Sequence, residues 1–217
     1  MKYLVTGGAG FIGVNASERY LRRGDEVVIL DNFSRHASLD ANIQSLAALS
    51  ERLTVVPGDV RDDQLLTQLF AEHTFDVVLH LAAQVAVTTS VANPRLDFET
   101  NALGTFNLLE AVRESKQDPV ILYASTNKVY GGMEDVAIVE RGNRYDFADL
   151  PEGVSETRPL DFHSPYGCSK GAGDQYMVDY ARIFGLRTVT FRQSCIYGYR
   201  QFGVEDQGWV AWFTIAS

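Results

Sequence analysis

Cysteine is scarce: only Cys168 and Cys195 occur in 217 residues. On count alone the two can pair, but in a chain without an export signal they read as free thiols of a reducing compartment. No such signal is visible, because the apolar stretch Tyr3-Leu4-Val5 is stopped at once by Thr6-Gly7-Gly8, far short of the apolar segment a leader needs. No run approaches the ~20 apolar residues of a membrane span. The expectation is a cytoplasmic protein with no membrane partner. Basic residues are also in deficit, 19 Lys and Arg against 28 Asp and Glu, giving a formal charge of −9 spread along the chain. A nucleic-acid surface needs a basic face that displaces counterions from phosphate, so no nucleic-acid partner is expected. A few local arginines can still meet an anionic small molecule. No His/Cys cluster has the spacing of metal ligands, and no metal is expected. Internal repeats and low-complexity tracts are missing too.

What remains is an ordinary share of apolar residues, 46% of the chain, enough for a sizeable core. They fall in short runs. Lys2 to Thr6 reads as a strand, followed by a glycine-rich turn and a helix from Phe11 to Arg23 that Gly24-Asp25 ends. Glu26 to Leu30 is a second strand, completing a βαβ unit. Leu53 to Val56 is a third, and Asp62 caps a helix with Leu65, Leu66, Leu69 and Phe70 on its apolar face. Asp76 to Leu81 is almost wholly apolar, as suits a parallel strand covered on both faces. A long helix with Phe98, Ala102, Phe106, Leu109 and Val112 at helical spacing follows. Val120 to Ala124 is a fifth strand, Tyr166 to Phe184 a helix closed by Gly185, and Leu186 to Phe191 a sixth strand. Strict alternation predicts an α/β fold with a Rossmann-like, doubly wound parallel sheet and ligands beyond the carboxyl ends of its strands. Two segments break the rhythm: Ala37 to Ser50, read as an extra helix, and Gly131 to Pro165, a long polar loop of the length that usually carries function.

Gly7-Gly8-Ala9-Gly10-Phe11-Ile12-Gly13 lies between the first strand and the first helix. Glycines at 7, 10 and 13 let the backbone turn tightly and a diphosphate approach the helix N-terminus, where free N–H groups and the helix dipole meet its charge. With the strand before, the helix after, and Asp31 ending the second strand, the motif predicts a dinucleotide site. A carboxylate at that strand end accepts both ribose hydroxyls and repels the extra phosphate of NADP. Ser34 and Arg35 are residues that can meet such a phosphate, but an unpaired carboxylate facing it is the costlier contact, so the cofactor expected is NAD. Asp59 and Val60, after the third strand, lie where adenine would, although a plain turn aspartate is an equal reading of Asp59. Leu81-Ala82-Ala83-Gln84 places small residues along the dinucleotide's path.

Tyr166 and Lys170 are four residues apart, one turn apart on one helix face. A tyrosine near pKa 10 is a poor base at neutral pH; an ammonium beside it favours the phenolate and makes Tyr166 a usable acid/base. Ser125 and Thr126 end the fifth strand at the same sheet edge and can bind a substrate oxygen. His80, inside an apolar strand, reads as a core histidine. His163, just before Tyr166, can contact substrate, and neither histidine is given a chemical role. Cys195 reads as a pocket wall, since no base stands beside it in sequence.

Together, Thr6 to Gly13, Asp31-Asn32-Phe33-Ser34-Arg35, Ala124 to Gly131 and the Tyr166/Lys170 pair closely resemble the extended short-chain dehydrogenase/reductases (NAD-dependent epimerases and dehydratases) that act on nucleotide sugars. Asn127-Lys128-Val129-Tyr130-Gly131, Leu160 to Lys170 and Arg200 to Val210 resemble the branch of CDP-paratose (CDP-tyvelose) 2-epimerases. The resemblance implies Thr126, Tyr166 and Lys170 as catalytic residues. It implies NAD held by Gly7, Gly10, Phe11, Ile12, Gly13, Asp31, Asn32, Ser34, Arg35, Asp59, Val60, Leu81, Ala82, Ala83, Gln84 and Ser125, with Tyr166 and Lys170. Thr126, Asn127, Tyr166 and Cys195 would meet a nucleotide sugar, a CDP-linked dideoxyhexose, inverted through transient oxidation at C2. A homo-oligomer is expected. Tyr199 departs from the Pro or Gly usual after the Tyr-Gly pair. Residues 1–198 then form the NAD-binding domain, and 199–217 begin a substrate-binding region that family members continue into a C-terminal lobe. Two alternatives stay open: a UDP-hexose 4-epimerase or 4,6-dehydratase, the latter disfavoured by Asn127-Lys128 where an Asp-Glu pair is expected, and a non-catalytic NAD-binding module.

Overall fold

The alternation of core-facing residues along the first strands decides the architecture. In the computed structural model, which describes residues 1–35, 39–203 and 208–217, Tyr3, Val5, Val27, Ile29 and Val77 face one side of a sheet. Leu4, Val28, Leu30, Val78 and Ile121 face the other. Both faces are apolar, so both must be covered. Helices α1 (Phe11–Arg22) and α2 (Leu39–Leu49) cover the first through Val14, Leu21 and Leu46. Helices α3 (Asp63–Glu72), α6 (Gly104–Ser115) and α7 (Ser164–Phe184) cover the second through Leu66, Leu69, Leu108, Leu109, Val112 and Met177. Each such fully buried Leu or Ile is worth roughly 1.5–3 kcal/mol over exposure.

The strands are β1 (Lys2–Thr6), β2 (Glu26–Asp31), β3 (Leu53–Pro57), β4 (Val77–His80), β5 (Val120–Thr126) and β8 (Arg187–Gln193). They pair in parallel in the order β3-β2-β1-β4-β5-β8. The chain winds outward from β1 in one direction, then returns to its other side with β4, so a crevice opens at the carboxyl ends of β1 and β4. The doubly wound sheet expected from the sequence is the one observed. Asp62 caps α3 as expected, its carboxylate accepting the Leu65 N–H at 3.0 Å. The helix over residues 37–50 is α2; its expected first two residues lie outside the described residues. No helix among the described residues is long and apolar enough to cross a membrane.

Two expectations are corrected. The long helix around Phe98 is three pieces: α4 (Val87–Ala92), α5 (Pro94–Phe98) and α6, with a π turn over Glu99–Leu103 joining the last two. Ala102, Leu109 and Val112 are buried, but Phe98 is 58% exposed. A π turn closes i→i+5 bonds, so residues before it are out of phase by about one residue, ~100°, with those after it. Phe98 therefore leaves the stripe that simple helical spacing assigns to it. The segment 131–165 is not wholly loop: β6 (Ile138–Arg141) and β7 (Arg144–Phe147) form an antiparallel hairpin around Gly142. Beyond β8, Trp209–Ala216 forms a short helix, α8, that the sequence reading did not place.

His80 is the core histidine expected. It is 1% exposed, with Nδ1 2.7 Å from Thr6 Oγ1 and Nε2 3.0 Å from Thr105 Oγ1. Burial, with the nearby Lys170 charge, pulls its pKa down to about 3. An unfolded histidine titrates near 6.5, so the unfolded chain binds a proton that the folded one refuses. The stabilisation is present above pH ~6.5 and is lost as pH falls through about 3. Ring NMR of the folded protein should find His80 neutral at pH 5; titration near 6.5 would mean the site is wet.

Candidate functional site

A cavity of about 900 Å³ runs along the carboxyl ends of β1, β2, β4 and β5 and over the start of α1. Every residue that the sequence assigned to cofactor, chemistry or substrate lines it: Gly7, Gly10, Phe11, Ile12, Gly13, Asp31, Asn32, Ser34, Arg35, Asp59, Val60, Leu81, Ala82, Ala83, Gln84, Ser125, Thr126, Asn127, Tyr166, Lys170 and Cys195.

The floor is the glycine turn. Gly7 has φ +69°, and a Cβ on Gly13 would sit 2.5 Å from Gly7 O, so helix and turn meet with no room for a methyl group. Gly10 precedes α1 with no side-chain cap, leaving the first-turn N–H groups facing the cleft. Asp31 is 9% exposed; Oδ2 accepts the Ala9 N–H at 3.0 Å and Oδ1 the Phe33 N–H at 2.9 Å. Burial pushes its carboxyl up, against those two backbone bonds. A carboxylate has about four acceptor positions, so Asp31 keeps about two for a vicinal diol while fastening the turn.

Asp59 is less available than the sequence suggests. Arg61 donates to it from its backbone N–H, Nε and Nη2 at 2.9, 3.0 and 2.8 Å, and Asn32 Nδ2 from 2.7 Å. The Arg61 guanidinium holds its pKa down, to about 2. Its acceptor positions are filled, so an incoming amino group has to displace Asn32 or Arg61. On the opposite wall, Thr6 Oγ1 accepts the N–H groups of Leu81 and Ala82, both at 3.2 Å, fixing the small-residue path.

Chemistry-bearing groups gather where β5 ends against α7. A Cβ on Gly173 would lie 2.5 Å from Tyr123 Oη, so the small residue lets α7 lie close on β5. Lys170 is thereby 3% exposed, its Nζ 4.2 Å from the Tyr123 ring centroid. Burial pulls Lys170 down to about 7, while Asp174 and Asp97 push back. Tyr166 moves opposite to expectation: burial pushes the phenol up, a hydrogen bond with Thr126 opposes this, and the Asp97 charge adds to the rise. The lysine that spacing placed beside it lies over Tyr123 instead. Thr126 is 6% exposed and accepts the Lys128 N–H at 3.2 Å, starting a 3-10 turn over Asn127–Tyr130. The Ser125 hydroxyl does not point a free proton at the cavity; it donates to Asp174 Oδ2 at 2.7 Å. His163 is exposed and is not part of the cavity wall, whereas Cys195 is part of it.

Sequence reasoning missed the buried polar groups behind these residues. Asp174 follows Tyr166 and Lys170 at helical spacing and has a legible signal, a charge on a face that must be covered. Asp97 and Arg192 have none. Gln201, Gly208 and Trp209 reach the cavity from beyond β8, while Glu205, Asp206 and Gln207 lie outside the described residues.

With strand-end acid, glycine turn and Tyr/Lys helix on one crevice, the chain belongs to the nucleotide-sugar epimerase/dehydratase family: the family model described as GDP-mannose 4,6 dehydratase matches residues 4–205. It is 52% identical over 213 residues to the CDP-paratose 2-epimerase of Salmonella typhi, covering 98% of this chain and 62% of that protein. Pal from Bacillus thuringiensis superposes with a TM-score of 0.81 at 35% identity, over 98% of this chain and 62% of that one. The Thermus thermophilus UDP-glucose 4-epimerase in complex with NAD gives 0.79 at 37%, over 98% and 61%. The chain thus spans about three fifths of the length of these relatives.

Proposed function

We propose that this chain carries the NAD-binding part and acid/base apparatus of a nucleotide-sugar epimerase of the CDP-paratose 2-epimerase type. The observation that carries the reading is the single cavity uniting the glycine turn, Asp31, and the Thr126–Tyr166–Lys170 group, in a chain half identical to such an enzyme. The residues fit a dinucleotide: Gly7, Gly10 and Gly13 clear the backbone for a diphosphate at α1, and Asp31 has acceptor positions left for a ribose diol. Gln201, Gly208 and Trp209, from beyond β8, then line the sugar side of the cavity. A cytoplasmic setting suits the two free thiols.

Bound there, NAD supplies a reversible two-electron acceptor. Thr126 holds the oxygen of the sugar C2 hydroxyl. Tyr166 takes that hydroxyl's proton as C2 is oxidised and returns it as C2 is reduced on the opposite face. Its half-buried phenol is an acid until positive charge is brought near it, and the nicotinamide cation together with an ammonium at Lys170 would supply that charge. Incubation with CDP-paratose deuterated at C2 should yield CDP-tyvelose with the label kept on carbon. C4 inversion of UDP-glucose with CDP-paratose untouched would move the protein to the 4-epimerases. Bound NAD without turnover of any nucleotide sugar would make it a binding module.

Asp31→Ala should narrow the preference for NAD over NADP by about tenfold or more, the scale of one charge-assisted hydrogen bond. The ratio of the two dissociation constants checks this, and an unchanged ratio would remove Asp31 from cofactor choice. We also propose a homo-oligomer. Phe106, Tyr176, Tyr180 and Phe184 form an edge-to-face aromatic ladder between α6 and α7, and Tyr176, Ile183 and Phe184 are exposed on it. A second copy of the chain is the partner assigned to that face.

A further inference from the structure

Two fully buried carboxylates stand behind the chemistry site, and they are satisfied differently. Asp174 is matched by a cation: Arg192 donates from Nε to Oδ2 at 3.0 Å and from Nη2 to Oδ1 at 2.9 Å. Asp97, on α5, accepts only from neutral donors among the described residues. Gln84 Nε2 and Asn101 Nδ2 donate to Oδ1 at 2.8 and 3.1 Å, and Ser169 Oγ donates to Oδ2 at 2.5 Å. Both carboxylates have 0% exposure. A buried charge without a counter-charge is costly and tends to neutralise. The complementary case lies one residue beyond Ser169. Lys170 is buried and forms no ion pair among the described residues, with only the Tyr123 ring against its Nζ. One wholly buried carboxylate and one ammonium at the cavity wall, each lacking a direct ionic partner, are therefore linked through Ser169, which bonds Asp97 and precedes Lys170.

We propose that Asp97 is a positioning residue: its carboxylate is the buried counter-charge of Lys170, and its three hydrogen bonds lock the cavity-wall Gln84 to helix α7. The proposal deepens the epimerase reading and rests on it for the use made of Lys170. The groups facing Lys170 are Asp97 from α5, Asp174 from α7, Tyr123 from β5 and His80 from β4, with Arg192 of β8 bonded to Asp174. His80 is neutral, and burial holds the Tyr123 phenol far above its usual range. Lys170 sits at about 7 because burial pulls it down while Asp174 and then Asp97 push it back up. Asp174 shares its charge with Arg192, and removing it strands that guanidinium. Asp97 can be neutralised without stranding a paired cation. Lys170 then gives up its proton below neutral pH, and the charge that assists Tyr166 is missing at working pH.

The chain has four lysines, Lys2, Lys116, Lys128 and Lys170, so lysine-selective NMR resolves them, with Lys170→Arg for assignment. In Asp97→Asn the Lys170 midpoint should fall by about one unit or more, and Asp97→Glu should return it towards the parent value. An unmoved Lys170 midpoint in folded Asp97→Asn overturns the proposal. Should Asp97→Asn not fold, Asp97→Ser is the second variant, and its Lys170 midpoint should fall likewise. An unmoved midpoint in that variant overturns the proposal equally. Neither measurement involves sugar or cofactor, so a failed epimerase assay and a failed titration are separate results.

Discussion

Replacing Tyr166 by Phe should cut sugar-nucleotide turnover by ~100-fold or more, the usual scale for a lost acid/base, while leaving NAD affinity nearly unchanged. The ring is half-buried near the start of α7 and its packing survives the substitution. What is lost is the hydroxyl and its capacity to take a proton. Thr126 still holds the substrate oxygen, so the loss should fall on kcat more than on KM. Measured together, kcat and the NAD dissociation constant separate this from a general loosening of the site. Activity within a few-fold of the parent would remove Tyr166 from the chemistry.

The second large effect is on stability. Asp174→Ala should cost about 3–5 kcal/mol, the range for stripping one partner from a buried ion pair. Arg192 keeps its charge with 15% of its side chain exposed, still hydrogen-bonded from Nη1 to Tyr130 Oη at 2.9 Å, and the Ser125 hydroxyl loses its acceptor. Urea unfolding checks the size. The Arg22–Glu18 pair on α1, whose arginine side chain is 63% exposed, provides the contrast: Arg22→Ala should cost no more than about 1 kcal/mol. Comparable losses from the two variants would mean that the Asp174 site is hydrated.

The sheet was legible because its central strands β1, β2 and β4 are rich in Val, Ile and Leu and covered on both faces, and strands alternate with segments whose apolar residues recur at helical spacing. The cavity was legible for the same reason: glycine turn, strand-end Asp31, strand-end Thr126 and the Tyr166/Lys170 spacing all fall at carboxyl ends of strands that the alternation had ordered. The direction of the Tyr166 shift was not legible, since spacing puts Lys170 one turn away but cannot say that its ammonium lies over Tyr123. Asp97 was invisible because its partners, Gln84, Asn101 and Ser169, are distant or polar, and polar residues on a helix ordinarily mean solvent. The hairpin at Ile138–Phe147 gave no alternating signal because Ile138 and Tyr145 are exposed rather than covered.

The π turn at Glu99–Leu103 has a consequence for how this chain can vary in length. Deleting one residue there would let the stretch wind as ordinary α-helix from Pro94 to Ser115. With α6 held in place by Leu108, Leu109 and Val112, everything before the deletion would rotate by ~100° about the helix axis. Phe98 would swing out of solvent, and Asp97 would turn away from Ser169 and Gln84. A shorter, more regular helix is thus open to the backbone and closed to the site. Among related chains, single-residue gaps in this stretch should occur only where a carboxylate at the Asp97 position is lost as well.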